Sequence, residues 1–278
     1  MRCVHFIQCS SVRMREETRA HERMRQPEWT VEVLLAGSWR GATSSLLSSD
    51  GQRIVVDTGL PHEAHQLVRA LEARNLKPRD VTAVINTHFH VDHVLNNLLF
   101  SGVPIYAAQQ SYDWCCALYS DLADQLHWDK LLLKYYPETW EYEKAREHMT
   151  GLRKFALRWW DPQRLGDLAQ FRWIEKQPLP PGLEGIVTSG HVPGHLSLVV
   201  RGPQRATLVA GDVVLSREHE EQVATMIPHN RVQFQKDRDR LLALGELIVP
   251  GHDCGFTVTP PPPEISARRD TESGPSSE

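Results

Sequence analysis

No stretch of the 278 residues stays apolar for the ~18–20 positions that a membrane-crossing helix needs. Cysteine is scarce and unpatterned. The five residues Cys3, Cys9, Cys115, Cys116 and Cys254 are odd in number, include one adjacent pair and follow no regular interval. That excludes the disulfide framework of a small secreted domain and fits a reducing, cytoplasmic setting. A strong charge of either sign is also missing. A formal net charge of −4 supplies no long-range pull towards nucleic acid or an anionic membrane, so both are disfavoured as partners and a small-molecule substrate is expected. The N-terminal stretch has arginines (Arg2, Arg13, Arg15, Arg19, Arg23, Arg25) but only Val4, Phe6 and Ile7 as an apolar core, too short for a secretory signal. Glu16, Glu17 and Glu22 count against an organellar transit peptide. Residues 1–28 therefore read as an N-terminal extension, helical or without fixed structure.

What is present is the composition of a globular protein, 41% hydrophobic and 24% charged, which supports a sizeable core in one domain or two small ones. Residues 29–258 are expected to form the folded body. Residues 259–278, opening on Pro260–Pro263 and continuing in Ser and Glu, read as a disordered tail. No internal repeat is visible.

Along the body, Thr30–Ala36, Ala42–Leu47 and Arg53–Asp57 read as strands, the last two joined through Ser48-Ser-Asp-Gly51, a hairpin turn signal. Glu63–Asn75 has Leu67, Val68 and Leu71 on one side of a helix. Val81–Ile85 is a buried strand leading into a histidine cluster. This β–turn–α–β order sets Asn86 onward at the C-terminal mouth of a strand, where α/β folds place their sites. Residues 111–175 read differently. They hold Trp114, Trp128, Trp140, Trp159, Trp160 and Trp173, with leucines at helical spacing (Leu118, Leu122, Leu126), and predict a helical insert. Strands are expected again at Gly185–Ser189, Ser197–Val200, Ala206–Ala210 and Leu247–Val249, with a helix over Val232–Leu244.

The cluster itself is Thr87-His-Phe-His-Val-Asp-His93. Neutral imidazole and carboxylate are donors for Zn²⁺ or Fe²⁺, whereas Mg²⁺ and Ca²⁺ take oxygen only. One turn cannot aim all four side chains at a single tetrahedral ion. His88 and His90 can share one direction, and Asp92 and His93 address a second point, so two adjacent metals are expected.

These residues resemble the H-x-H-x-D-H signature of the metallo-β-lactamase superfamily, and further elements match in order. Asp57-Thr-Gly59 resembles its D-x-G turn, Thr188-Ser-Gly-His191 its T-P-G-H element, Gly211-Asp212 its G-D element and Val249-Pro-Gly-His252 its last P-G-H. The resemblance runs over about residues 29–256. It implies an α/β fold, the αββα sandwich of this superfamily with a helical insert, and a hydrolase with two Zn²⁺ ions, or Fe in their place. By the same resemblance His88, His90 and His191 would hold one metal, Asp92, His93 and His252 the other, and Asp212 would bridge them. Asp57 would accept hydrogen bonds that orient the ligand loop. The tandem His191 and His195 offers two candidates for one position. Members of similar sequence use the first, so His191 is taken as ligand and His195 as structural. His219 and His229 are expected to be solvated or to anchor loops, and Cys254 to be a small buried filler.

Two such metals sharing a water lower its pKa towards ~7, so hydroxide can attack an ester, lactone or thioester carbonyl. Asp92 or Asp212 would take up the released proton. The similarity is greatest to acyl-homoserine lactonases, although those carry a tyrosine shortly after the G-D aspartate and Gly211–Arg217 has none. The alternative is a single-domain nuclease acting on RNA, for which the insert offers Arg146, Arg153, Lys154, Arg158, Arg164 and Arg172, diluted by Glu138, Glu141, Glu143 and Glu147. The aromatics of the insert read equally as an apolar cap over the metals and as core or a homodimer face.

Overall fold

Alternate side chains on each strand serve two different cores, and this organises the molecule. The structure, a computed structural model, describes residues 27–38, 41–123, 133–138, 154, 157–218, 228–244 and 247–257. Strands β1 (Thr30–Leu35), β2 (Ser44–Ser49) and β3 (Gln52–Val56) form an antiparallel meander. The β2–β3 turn is the two residues Asp50 and Gly51, with φ of 38° and 82°, the left-handed pair that matches the strand twist. A helix, α1 (Ala64–Glu72), leads to β4 (Ala83–Ile85), then to the short helix α2 (Val91–Val94), β5 (Ile105–Ala107) and the long helix α3 (Gln109–Ala123). Strand β6 (Phe171–Trp173) closes this six-stranded sheet, ordered β1-β2-β3-β4-β5-β6, with β3 to β6 parallel.

The second sheet is built from β7 (Leu183–Val187), β8 (Leu196–Arg201), β9 (Ala206–Gly211), β10 (Leu247–Pro250) and β11 (Phe256–Thr257), in the order β11-β10-β9-β8-β7. Helix α4 (Arg231–Leu242) lies before β10. Leu47, Ile54, Val56 and Ile85 of the first sheet meet Leu196, Leu198, Val200, Val209 and Val249 of the second in one core between the sheets. Their neighbours one residue away point outwards. Leu46, Val55 and Val84 pack with Leu67 and Leu71 of α1 and Leu118 and Leu122 of α3, whereas Val199, Leu208 and Ile248 pack with Leu241 of α4. Helix, sheet, sheet, helix is the expected sandwich, produced by the period-two pattern of the strands.

Several details differ from the sequence reading. Phe171–Trp173, assigned to the helical insert for its aromatic content, is a sheet-edge strand whose Phe171 and Trp173 rings stack with centroids 5.0 Å apart. The insert's helix begins earlier than residue 111, at Gln109. Much of the insert, including Trp128, Trp140, Arg146 and Arg153, lies outside the described residues, as do Cys3, Cys9, His219, most of the N-terminal extension and the tail beyond residue 257. Among the described residues no helix is long and apolar enough to cross a membrane.

Candidate metal centre

The strands β3, β4, β7, β9 and β10 all end at the same rim of the sandwich, and each delivers one piece of the site just past its last residue. Asp57 follows β3, the His88–His93 run follows β4, His191 follows β7, Asp212 follows β9 and His252 follows β10. This is the carboxyl-end rim at which parallel strands place their chemistry.

Two sets of donors come together there. His88, His90, His191 and Asp212 form one group and Asp92, His93 and His252 a second, each with its ligand atoms within 4.8 Å of one another. His90 Nδ1 stands 2.9 Å from His88 Nε2 and 3.1 Å from His191 Nε2, and His191 Nε2 is 3.3 Å from Asp212 Oδ2. Ligands about 2.0–2.1 Å from a tetrahedral zinc lie roughly 3.3 Å apart, so these spacings suit a shared ion. The second set is looser: His252 Nε2 is 3.5 Å from Asp92 Oδ2 and His93 Nε2 is 4.0 Å from it. Asp212 reaches both sets, with Oδ1 3.2 Å from His93 Nε2 and Oδ2 3.3 Å from His252 Nε2.

The fit to a cation shows in two atoms. His93 Nε2 and Asp212 Oδ1 are fully buried without a hydrogen-bond partner, although they face each other. Buried polar atoms that are neither solvated nor paired are costly, and a metal ion between them satisfies both. The donor set of imidazole and carboxylate suits a first-row transition ion such as zinc or iron.

The tautomers that this requires are set by outer contacts. Thr87 Oγ1 donates to Asp57 Oδ2 (2.7 Å) and so accepts from His88 Nδ1 (3.1 Å), leaving His88 Nε2 with its lone pair. Asp57 also takes the Thr87 backbone N–H (2.8 Å) and His93 Nδ1 (2.7 Å). One carboxylate thus orients two ligands and the loop between them, and Asp57 itself sits at a left-handed φ of 55° to do so. His252 Nδ1 donates to the Ser38 carbonyl at 2.8 Å.

The tandem histidines separate clearly. His191 Nε2 faces the donor cluster. His195 has both ring nitrogens occupied: Nε2 accepts from the Asp212 backbone N–H (3.1 Å) and Nδ1 lies 2.7 Å from Thr188 Oγ1. It therefore orients Asp212 and has no atom left for an ion. Helix α4 holds the His191 turn in place, since Asp237 Oδ2 accepts from Gly190 N at 2.9 Å.

Electrostatics divide the two sets. Burial, with nearby histidines, pushes the His88 and His90 imidazoles well below their ordinary pKa, so both are neutral at neutral pH, the form in which an imidazole can donate to a metal. Burial also opposes charge on His93 and His252, but Asp212 and its acidic neighbours outweigh it, raising His93 well above its usual value and His252 to about 9. Burial likewise disfavours ionised Asp212, and His252, His93 and His191 overcome that and hold it well below the usual carboxylate range.

Sequence reasoning missed one neighbour. Tyr136, almost fully buried, places its hydroxyl 2.9 Å from His90 Nε2. Trp114 and Trp160 stand edge-on to the same imidazole, with centroids 6.0 and 5.9 Å away. His229 Nδ1 meets the Tyr135 carbonyl at 2.7 Å, and its N–H donates to the His191 carbonyl at 2.8 Å, which ties this aromatic segment to the ligand turn. The sequence held the relevant signal in the aromatic density of the insert, but nothing in it said which rings reach the metals. Cys254, expected to be buried, is exposed.

Residues 37–109 match the family model of the metallo-beta-lactamase superfamily. Metallo-beta-lactamase domain-containing protein 1 from Homo sapiens is 28% identical over 219 residues, covering 78% of this chain and 64% of its own length. The Mus musculus counterpart is 29% identical over 245 residues, covering 82% of this chain and 75% of its own. The chain thus spans less than two thirds of the human relative. Among solved structures, AiiA from B. thuringiensis, with N-decanoyl-L-homoserine bound at its active site, superposes with a TM-score of 0.54 at 19% identity, covering 82% of this chain and 94% of that one. AidC, a dizinc quorum-quenching lactonase in complex with its product, gives 0.54 at 15% identity, covering 82% and 85%. These superpositions establish the fold.

Proposed function

We propose that this chain, which belongs to the metallo-β-lactamase superfamily, is a dinuclear hydrolase of a small ester, lactone or thioester. Two Zn²⁺ ions, or Fe in their place, would be held by His88, His90 and His191 and by Asp92, His93 and His252, with Asp212 shared. The observation that carries this reading is the pair of adjacent donor sets at one rim, with an aromatic wall of Trp114, Tyr136 and Trp160 around His90.

When bound, such ions supply an activated water and polarise the carbonyl that it attacks. The chain's own residues do the rest. Asp57 and Thr87 fix the imidazoles, and His195 fixes Asp212. The aromatic wall excludes water and suits an apolar acyl or aryl group. Of the two candidate proton acceptors, the Asp212 side chain is fully buried and the Asp92 side chain keeps 17% exposure. Asp92 is therefore the group able to receive a proton at the site and release it to the leaving group or to solvent. The solved lactonases with acyl-homoserine bound support an acyl substrate.

RNA cleavage is the second reading, and one feature favours it. The guanidinium groups of Arg158 and Arg164, both exposed, lie 5.1 and 5.8 Å from the Trp159 ring, a combination of cation and stacking surface that suits single-stranded nucleic acid.

A panel of lactones, aryl esters, thioesters and single-stranded RNA, offered to metal-loaded protein, tests both. The primary reading expects carbonyl-ester turnover that drops by several powers of ten in Asp92→Ala, with RNA untouched. Metal-dependent RNA cleavage that falls steeply with salt, without ester turnover, would establish the nuclease instead.

A further inference from the structure

Every ligand imidazole with a described outer contact gets it from the framework of the two sheets, except one. His88 leans on Thr87, His93 on Asp57 and His252 on the Ser38 carbonyl. His90 alone has its outer nitrogen on the aromatic segment, 2.9 Å from the Tyr136 hydroxyl. We propose that Tyr136 is a positioning residue for the metal centre: its phenolic oxygen accepts the His90 Nε2–H and so holds His90 in the tautomer and orientation that present Nδ1 to the ion shared with His88 and His191.

The geometry requires this direction of donation. His90 Nδ1 is the nitrogen that converges with His88 Nε2 and His191 Nε2, so it must carry the lone pair, and a neutral ring then carries its proton on Nε2. The oxygen of a neutral phenol accepts a hydrogen bond from that N–H. Neither nitrogen has to change its charge for the arrangement to hold.

The hydroxyl is not placed by chance. The adjoining Tyr135 hydroxyl donates to Asp121 Oδ2 at 2.6 Å, and Lys134 Nζ reaches the same oxygen, which fixes the segment to helix α3. On the other side His229 Nδ1 donates to the Tyr135 carbonyl, while the His229 backbone N–H holds the His191 carbonyl. Tyr136 thereby joins two ligands of one ion, His90 through its side chain and His191 through the neighbouring loop, to a segment the sheets do not contain. The described segment Lys134–Tyr136 thus backs the first donor set from outside the two sheets.

This inference rests on the metal-centre reading, so its test reads metal binding rather than turnover. Purified protein is stripped and titrated with Co²⁺ and Zn²⁺ against a competing chelator. Tyr136→Phe keeps the ring and removes the acceptor. The expected result is a loss of about 10–100-fold in affinity for one of the two ions, with a changed Co²⁺ visible spectrum and a near-native melting curve. Wild-type affinity and spectrum in the variant would overturn the proposal while leaving the metallo-hydrolase reading intact. Failure of the wild-type protein to bind metal would instead overturn that reading. Should Tyr136→Phe not fold, 3-fluorotyrosine at position 136 in zinc-loaded protein retains the ring and weakens the acceptor. A shift of the His90 Nε2–H proton resonance then supports the contact, and an unmoved resonance overturns it.

Discussion

At the scale of single residues the site is held by pairs in which one member faces the donor cluster and the other aims it. His191 and His195 show the division. His191→Ala should abolish binding of one ion, read by elemental analysis. His195→Ala should leave a buried Asp212 N–H without its acceptor, a cost of about 1–3 kcal/mol. That corresponds to a melting temperature lower by roughly 2–4 °C per kcal/mol for a chain of this size. Loss of an ion in His195→Ala together with retention in His191→Ala would reverse the assignment. Gly251 makes a sharper case. A Cβ there would lie 2.1 Å from Asp212 Oδ1, so Gly251→Ala must push the shared carboxylate out of place. We expect weakened binding of both ions in a chelator competition, since Asp212 faces both sets.

Elements set how closely these residues can approach. The turn carrying His191 is clamped against α4, and Gly190 is what permits it: an added Cβ would stand 2.2 Å from the Phe234 amide nitrogen. Gly190→Ala should destabilise the fold by about 1–3 kcal/mol through overpacking, measurable as a lower denaturant midpoint. Sequence patterning made the strands legible because apolar residues there alternate between two cores, and β3, β4, β8, β9 and β10 fall close to where Ile54, Val84, Leu198, Leu208 and Ile248 predict. It failed at β6, three residues with an aromatic at each end that carry no period to read, and at β11, which is two residues long. The candidate donors were legible for another reason. Each follows a strand end within a short motif, so local sequence singles them out, whereas Tyr136 is joined to His90 only by the tertiary fold across 46 positions. The exposed Cys254 illustrates the same limit, since burial past the end of β10 is decided by what packs there and not by residue type.

For the whole molecule, metal and protons compete for the same nitrogens. Burial alone would keep His93 and His252 neutral, but Asp212 and nearby carboxylates raise both, His252 to about 9. Protonated imidazole cannot ligate, so an ion must displace those protons, and apparent affinity should rise with pH until His252 has titrated near 9. Chelator competition across that range checks this; affinity that falls or stays flat between about pH 6 and 8 would contradict it.

The central claim is that two ions sit at one rim of the sandwich, shared through Asp212. Anomalous diffraction at the zinc and iron edges from crystals of metal-loaded protein tests it directly. The account predicts two peaks a few ångströms apart, one among His88, His90, His191 and Asp212 and one among Asp92, His93, His252 and Asp212. A single peak, a peak at His195, or no anomalous density at this rim would contradict it.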